Sequence, residues 1–316
     1  MCASALARQG SVDHNQQLRS IGLLAGRREA ANGPRLLPEP SEHARMSQAE
    51  KFKAGSLQPG KKFALGDIDP ASVGGLNKEE AALATETNIK AIDELCYRLY
   101  AEGRRSLLIV LQGMDTAGKD GVIRKVLSGV DPVNCRVTAF KRPTAEELRH
   151  DFLWRIHKAV PPHGDIGIFN RSHYEDVLAP RVHHLVAESE WKSRYDRIND
   201  FERLLSDAGT TIVKFFLHIS RDEQRRRLQA RLTDPHKRWK FEQGDLAERK
   251  LWDEYQRAYE DLLVHCHSEH APWYVIPADH KWFRTFAVST VLRQTLETMD
   301  PQFPKEQPGL DDVVID

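Results

Sequence analysis

The sequence contains few cysteines, no long apolar run and no excess charge of either sign. Its four cysteines (Cys2, Cys96, Cys135 and Cys266) are widely spaced and form no CxxC pair, which indicates neither a disulfide scaffold nor a zinc site. No apolar segment approaches the roughly 18 residues needed to cross a bilayer, so no membrane partner is expected. The N-terminus also lacks the apolar core of a secretory signal, which favours a cytoplasmic location.

The balance of charge limits the partners that the chain can bind. Lys and Arg number 46 and Asp and Glu also number 46, giving a net charge of zero. Bulk attraction to nucleic acid is therefore not expected, although local basic segments can still bind anions. With 316 residues, 40% of them apolar, the chain is long enough for one sizeable core.

The first 45 residues differ from the rest of the chain. They hold no aromatic residue and contain the chain breakers Gly33-Pro34 and Pro38-Glu39-Pro40, which predicts a disordered extension. An over-long start before Met46 and an organellar transit peptide are the alternatives. We predict one folded domain over residues 46–302 and a short C-terminal tail over residues 303–316.

From Asn77 onward, strand-like and helix-like patterns alternate. Asn77 and Glu80 resemble a capping box, apolar residues then recur at helical spacing, and Gly103 ends the helix. Residues 106–112 form a continuous apolar run, typical of a strand buried on both faces. Further strands are predicted at 135–140, 165–170, 211–219 and 273–277, and helices at 118–128, 145–158, 189–207, 221–232, 245–267 and 282–299. The alternation predicts an α/β fold with helices on both faces of a parallel sheet.

The segment after the first strand carries a phosphate-binding motif. Gly113, Gly118 and Lys119 fit the pattern G-x-x-x-x-G-K between a buried strand and the start of a helix. Glycines allow backbone N–H groups to surround an anion, while the helix N-terminus and the lysine add positive charge. The alternative is a glycine-rich turn with an exposed lysine. The context favours the P-loop of a kinase-type phosphoryl-transfer enzyme.

The loop also carries acids that a usual P-loop lacks. Asp120, followed by Gly121, stands where Ser or Thr normally holds Mg²⁺, and Asp115 lies inside the loop. Carboxylates beside a bound phosphate are unfavourable unless cations lie between them, so the pair implies Mg²⁺. Alternatively, Asp120 serves only as a first-turn acid that interacts with the helix dipole.

A second charged segment follows the strand predicted at 165–170. Because ligands of α/β sheets bind beyond the carboxyl ends of strands, this segment should face the P-loop. Arg171 is then placed to contact phosphate, and Asp176 or Glu175 to hold Mg²⁺. The alternative is that both acids lie in the first turn of a helix. His173 and Tyr174 are compatible with simple packing, and we assign them no chemistry.

A basic segment over residues 221–245 has the pattern of a kinase lid. An arginine-rich helix is broken at Asp234-Pro235 and followed by a second basic stretch, which would cover phosphates and exclude water. Arg231, Lys237 and Lys240 are the candidate phosphate-binding residues. A solvated charged helix and an RNA-contacting surface are the alternatives.

Two further basic residues follow the second strand. Lys141 and Arg142 are candidates for binding the second substrate, since the end of this strand also points towards the P-loop. The next polar residue, Thr144, is placed to cap a following helix in a capping box.

Taken in order, these segments resemble the polyphosphate kinase 2 family. The resemblance rests on residues 112–121, 140–144, 150–155, 168–178 and 234–241, and it extends over about residues 60–300. It implies a three-layer α/β/α P-loop kinase fold, similar to thymidylate kinase, with a parallel sheet and a helical lid. It also implies Mg²⁺-dependent phosphoryl transfer between inorganic polyphosphate and the nucleoside phosphates AMP, ADP and ATP.

The resemblance further implies roles for individual residues. Asp115, Lys119 and Arg171 match positions that bind the reacting phosphates and metal, Asp176 matches a second acidic position, and Arg231 matches a lid arginine. Residues 172–176, Ser-His-Tyr-Glu-Asp, resemble the subgroup that accepts both AMP and ADP. We also expect a dimer or tetramer.

Three other functions make different demands on the sequence. An ordinary ATP-dependent small-molecule or nucleotide kinase would be expected to carry a hydroxyl at position 120, where this chain has Asp120. A regulatory nucleotide sensor would not need acids and a basic lid together. An RNA-binding protein would use the basic helix, but the arginines over residues 221–231 have no aromatic residues among them.

Overall fold

The computed structural model describes residues 48–60, 63–310, 313 and 315. The N-terminal extension predicted over residues 1–45 lies outside the described residues, so the predicted domain limits stay a prediction. Among the helices of the described part, none combines the length and apolarity that a membrane span requires.

Five parallel strands form a single sheet in the order β2-β3-β1-β4-β5. They are β1 (Ser106–Gln112), β2 (Cys135–Ala139), β3 (Ile166–Asn170), β4 (Thr210–His218) and β5 (Trp273–Pro277). Every residue of β1 is buried, as its apolar run predicts, whereas the edge strand β2 is largely exposed. The five predicted strands are confirmed, each to within one residue at either end.

Ten α-helices occur in the described ranges. They are α1 (Gln48–Lys51), α2 (Lys78–Glu102), α3 (Lys119–Val126), α4 (Trp154–His157), α5 (Glu175–Val182), α6 (Glu188–Asp207), α7 (Arg221–Thr233), α8 (Gly244–Lys250), α9 (Trp252–His265) and α10 (Lys281–Met299). The predicted limits of α2 are confirmed, because Asn77 accepts a hydrogen bond from the Glu80 amide and Gly103 takes a left-handed φ of 63°.

The helix predicted over residues 145–158 is wrong in extent. A short 3-10 turn, Glu147–Arg149, occupies its start, and α4 supplies only its last turn. The capping box at Thr144 forms as expected, with the Glu147 amide 3.2 Å from the threonine hydroxyl. Asp151 then accepts a hydrogen bond from the amide two residues later and starts a new turn, which divides the segment.

The helix predicted over residues 245–267 is also divided. It breaks at Leu251 into α8 and α9, so the second half of the predicted lid ends in a short separate helix. Between α7 and α8 lies the 3-10 turn Arg238–Lys240. This helix–turn–helix agrees with the pattern predicted for residues 221–245.

The connections of the sheet place a crevice between β1 and β3. The chain leaves β1 towards β2 and leaves β3 towards β4, in opposite directions across the sheet. Because such crossovers are right-handed, they run on opposite faces. In agreement, α10 packs against α2 and α3, whereas α5 packs against α6 and α9. Ligands of open α/β sheets bind at such a reversal, beyond the carboxyl ends of the strands.

Candidate active site

Lys119 lies inside the loop that follows β1. Its ammonium group donates to the carbonyl of Gly113 at 2.6 Å, and only 9% of the residue is exposed. Burial lowers the pKa of Lys119 to about 8, with a smaller contribution from nearby Arg171, while the acids Asp115, Glu175 and Asp120 oppose the shift. The lysine is therefore a buried cation at the first turn of α3.

Two arginines donate hydrogen bonds to carbonyl groups of the P-loop. Arg227, on α7, donates to the carbonyls of Thr116 and Ala117, both at 2.9 Å, and Arg284, on α10, donates to the Ala117 carbonyl at 3.2 Å. These hydrogen bonds fix the positions of the Thr116 and Ala117 carbonyls in the loop. Local sequence patterns did not identify either residue as a support of the loop.

Two glycines of the motif are required by close approaches. Gly118 has a φ of 108°, and a Cβ atom there would lie 1.9 Å from a guanidinium nitrogen of Arg284. Gly113 has a φ of 147°, and its Cβ would lie 2.7 Å from the Leu217 carbonyl. The tight fit of the loop against α10 and β4 therefore explains both positions.

Arg171, the first residue after β3, bridges two carboxylates. It adopts a left-handed φ of 63°, which is uncommon for a residue other than glycine. Its guanidinium lies 2.7 Å from Asp115 in the P-loop and 3.1 Å from Glu175 at the start of α5. The charge of Glu175, followed by that of Asp115, raises the pKa of Arg171 even though burial opposes the shift. The structure thus brings these three predicted residues together.

Gln112 is a supporting residue that the sequence did not reveal. It is fully buried at the end of β1. With its amide oriented so that every donor faces an acceptor, it donates to Glu175 at 3.0 Å and accepts from the Ser172 amide at 3.2 Å. Gln112 therefore connects the strand before the P-loop to the segment that carries Arg171.

Asp176 is not part of the cluster formed by Arg171, Asp115 and Glu175. Its carboxylate pairs with Arg155 at 3.0 Å, and Arg194 donates to its backbone carbonyl. Burial raises the pKa of Asp176 although Arg155 and Arg194 act in the opposite direction. The residue borders a cavity of about 330 Å³ that Phe152 also lines. The structure does not bring Asp176 into contact with Asp115 or Arg171, and its role as a metal ligand stays a prediction.

Beyond the contacts that α7 makes through Arg227 and Gln224, the predicted lid reaches the P-loop through Lys240. The ammonium of Lys240 lies 3.7 Å from the carboxylate of Asp120, whose other oxygen accepts a hydrogen bond from Asn170 at 2.9 Å. Arg231 pairs with Asp245 within the lid at 3.3 Å. The second lid helix thus packs back on the first, beside the end of β3.

The remaining basic candidates lie at the surface. Lys237 pairs with Asp234 at 2.5 Å, within the lid turn. Lys141 and Arg142 are both exposed, and the Lys141 carbonyl accepts a hydrogen bond from Arg155 at 2.9 Å. These side chains are accessible to a dissolved anion, but the structure does not bring them together with Lys119.

The acids of the crevice fit a magnesium ion that the substrate would help to hold. No group of three or more His, Cys, Asp or Glu side chains suited to a metal occurs in the part of the chain that the structure describes. Mg²⁺ is commonly bound by only one or two carboxylates, together with substrate phosphates and water. Asp115 and Glu175, on either side of Arg171, match that requirement.

The site thus combines the buried Lys119 of the P-loop with Arg171, which lies between two carboxylates. This combination defines a P-loop enzyme of the kinase type. The comparison with known proteins is more specific. The family model for polyphosphate kinase 2 matches residues 75–304, and the chain belongs to this family. The resemblance inferred from the sequence motifs is thereby confirmed.

Similar proteins support the assignment along most of the chain. The AMP/ADP-polyphosphate phosphotransferase of Meiothermus ruber is 49% identical over 84% of this chain and 100% of its own length. The ADP-polyphosphate phosphotransferase of Rhodopseudomonas palustris is 43% identical, over 83% and 94%. The crystal structure of polyphosphate kinase 2 from Arthrobacter aurescens TC1 has a TM-score of 0.80 and 44% identity, covering 82% of this chain and 94% of that one.

Proposed function

We propose that this chain transfers phosphoryl groups between inorganic polyphosphate and nucleotides, converting AMP to ADP and ADP to ATP. The observation that carries the proposal is the arrangement of Asp115, Arg171 and Glu175 beside the buried Lys119. The Meiothermus ruber relative, named for both AMP and ADP, supports the choice of acceptors.

Phosphoryl transfer needs positioning and neutralisation of charge more than covalent chemistry from the protein. Lys119 and the loop amides would bind the phosphate at the site of transfer. Arg171 would exchange part of its contact with Asp115 and Glu175 for the substrate phosphates. The P–O bond at the end of the polyphosphate breaks while the terminal phosphate oxygen of the acceptor forms a new one, so polyphosphate is shortened by one unit.

Mg²⁺ is the ion that we propose for the site, held by Asp115 and Glu175. When bound, it would supply positive charge between the carboxylates and the phosphates, which would otherwise repel one another. Asp120 is exposed and already contacts Lys240, so we propose a role in holding the lid for it rather than in binding metal.

The lid would cover the polyphosphate. Arg231, Lys237 and Lys240 provide positive charge over residues 221–245, and closure of this segment would exclude water from the transfer. Lys141 and Arg142 would contact the acceptor nucleotide. We further propose a cytoplasmic protein that forms a dimer or tetramer, which size-exclusion chromatography with light scattering would test.

The decisive experiment measures ATP by luciferase after mixing the purified protein with ADP, polyphosphate and Mg²⁺. Lys119→Ala and Asp115→Asn should each lower the rate by about 10²- to 10³-fold, because each removes a group that acts on the transferred phosphate. Lys125→Ala is the matched control, since Lys125 is exposed on the same helix as Lys119. Folding of each variant is checked by circular dichroism.

Two results would overturn the proposal. Full activity in a folded Lys119→Ala variant would remove the P-loop from the mechanism. Transfer from ATP to a small molecule or nucleotide, without any from polyphosphate, would instead identify an ATP-dependent kinase on the same fold.

A further inference from the structure

A buried cluster of polar side chains lies behind the segment that carries Arg171. It consists of His173, Tyr174, Glu202 and Lys214, and none of them is more than 1% exposed. His173 and Tyr174 lie between β3 and α5, Glu202 is on α6, and Lys214 is on β4. We refer to these four residues as the buried tetrad.

Lys214 has a full set of hydrogen-bond acceptors within the core. Its ammonium donates to the Glu202 carboxylate at 2.5 Å, to the Cys266 carbonyl at 2.7 Å and to the Tyr174 hydroxyl at 2.9 Å. An ammonium has three donors, so all of them are paired. The lysine thereby links β4 to the segment before α5.

Glu202 links the same segment to α6. One of its oxygens accepts a hydrogen bond from the Tyr174 hydroxyl at 2.7 Å and lies 3.2 Å from the His173 ring nitrogen. Burial alone would raise the pKa of Glu202, but Lys214 and His173 lower it below its ordinary value, so the group stays ionised. Two successive side chains of the segment are thus tied to one buried carboxylate.

Core stability does not by itself account for this arrangement. A buried ion pair loses its hydration, and well-packed apolar side chains of similar volume are often equally stabilising. The tetrad does, however, hold residues immediately next to Arg171, whose left-handed backbone is intrinsically unfavourable and needs support from its surroundings. The Tyr174 amide also donates to Ser172 at 3.2 Å, which continues the support up to Arg171.

We infer that the buried tetrad positions Arg171 and Glu175 against Asp115, and that Tyr174 and Glu202 are positioning residues for phosphoryl transfer. The inference rests on the proposed function. Tyr174 lies three residues after Arg171 and directly before Glu175, so tying its ring to α6 and β4 fixes the segment between the two charged groups. A displacement of about 1 Å at reacting groups can lower rates by up to about 10²-fold, which gives the tetrad a catalytic effect without substrate contact.

Tyr174→Phe tests the inference with little disturbance of the core. The change removes one hydroxyl, while Lys214 and Glu202 stay paired. We expect kcat to fall about 10-fold or more, with the KM for ADP little changed and the circular dichroism spectrum retained. Tyr195→Phe is the control, because Tyr195 is also buried and its hydroxyl accepts a hydrogen bond from Arg181, on α5.

A double-mutant cycle with Arg171→Lys separates positioning from a general structural effect. If Tyr174 acts through Arg171, Tyr174→Phe should have little further effect on kcat in the Arg171→Lys background. Wild-type kcat in Tyr174→Phe, or two losses that simply multiply, would overturn the inference. If Tyr174→Phe does not fold, His173→Leu replaces it in the same cycle with the same expected outcome.

The proposed function is tested separately by wild-type turnover in the same assay. If the wild type shows no turnover, the proposed function fails. The double-mutant cycle is then measured through the affinity for tripolyphosphate, by calorimetry. Coupled losses of affinity in Tyr174→Phe and Arg171→Lys would support the tetrad as a positioning device, and independent losses would reject it.

Discussion

Arg171 and Asp115, which are 56 positions apart in the sequence, form an ion pair of 2.7 Å across the crevice between β1 and β3. The same guanidinium reaches Glu175, so one cation holds two acids near the P-loop. A phosphate chain entering the crevice would compete with these acids for Arg171. The residues that we propose to bind substrate therefore bind one another beforehand, which would keep them close to their working positions.

The pKa of Lys119 predicts the alkaline limit of activity. Burial lowers the pKa to about 8, so in the free protein the amine loses its charge above that pH. A bound phosphate favours the charged form and raises the pKa. We expect kcat/KM for polyphosphate to fall above about pH 8 while kcat stays level to higher pH, since the two report the free and bound protein. Rate profiles from pH 6.5 to 9.5 would show this. In Lys119→Arg the fall of kcat/KM near pH 8 should disappear. An unchanged fall would show that a different group titrates there.

Gly118→Ala should damage the P-loop. The new Cβ would lie 1.9 Å from Arg284, and the φ of 108° is unfavourable for alanine. We expect kcat to fall at least 10-fold and the free energy of unfolding to decrease by on the order of 1–3 kcal/mol. Gly66→Ala is the control, because a Cβ there meets no atom within 4 Å. Thermal melts and the luciferase assay measure both effects. Equal behaviour of the two variants would contradict the fit described for the loop.

Glu175→Asn should change the choice between AMP and ADP. The two acceptors differ by one phosphate, so a site that serves both must compensate for the charge and length of that unit. Glu175 contributes a carboxylate beside Arg171. We expect the wild type to use both acceptors and the variant to change their kcat/KM ratio. Glu188→Asn is the control, since Glu188 is likewise the first residue of its helix. An unmoved ratio would restrict Glu175 to a structural role.

His218 should make the fold sensitive to mild acid. Burial lowers its pKa from 6.5 to about 4, so above pH 6.5 the ring is neutral in both folded and unfolded chains. Between pH 6.5 and 4 the unfolded chain binds a proton that the folded chain does not, and stability falls as the pH falls, by at most about 3 kcal/mol. Urea melts at pH 7 and pH 5 should show a smaller difference for His218→Gln than for the wild type. The exposed His236→Gln serves as the control. Equal pH dependence in all three proteins would contradict the prediction.

The strands β1, β3, β4 and β5 could be predicted from sequence because they are largely apolar and buried, whereas the edge strand β2 is largely exposed. The helix after Thr144 was predicted too long, since its capping box gives the start but not the later competition from Asp151. Local patterns identify how an element begins more reliably than what interrupts it.

The candidate site was predictable where residues follow strand ends. Asp115 and Lys119 lie in the loop and the first helical turn that follow β1, and Arg171 directly follows β3, so the pairing of these parallel strands brings the three residues to the same edge of the sheet. Glu175 and Asp176 are neighbours on a helix, where successive side chains point about 100° apart. The sequence could not tell which of the two faces Arg171. Similarly, Arg227 belongs to an arginine-rich helix, and only the tertiary fold shows that it turns inward.

Because of the buried guanidinium of Arg284, binding of the substrate should also stabilise the folded protein. Arg284 is 4% exposed and donates to the Ala117 carbonyl, and burial lowers its pKa to about 10. A polyanion bound at the P-loop would lie close to the buried positive charge of Arg284 and would partly neutralise it. By thermodynamic linkage, binding of tripolyphosphate should then raise the melting temperature as the ligand concentration increases. The polymer would serve this protein as a stabilising counterion as well as a phosphoryl donor.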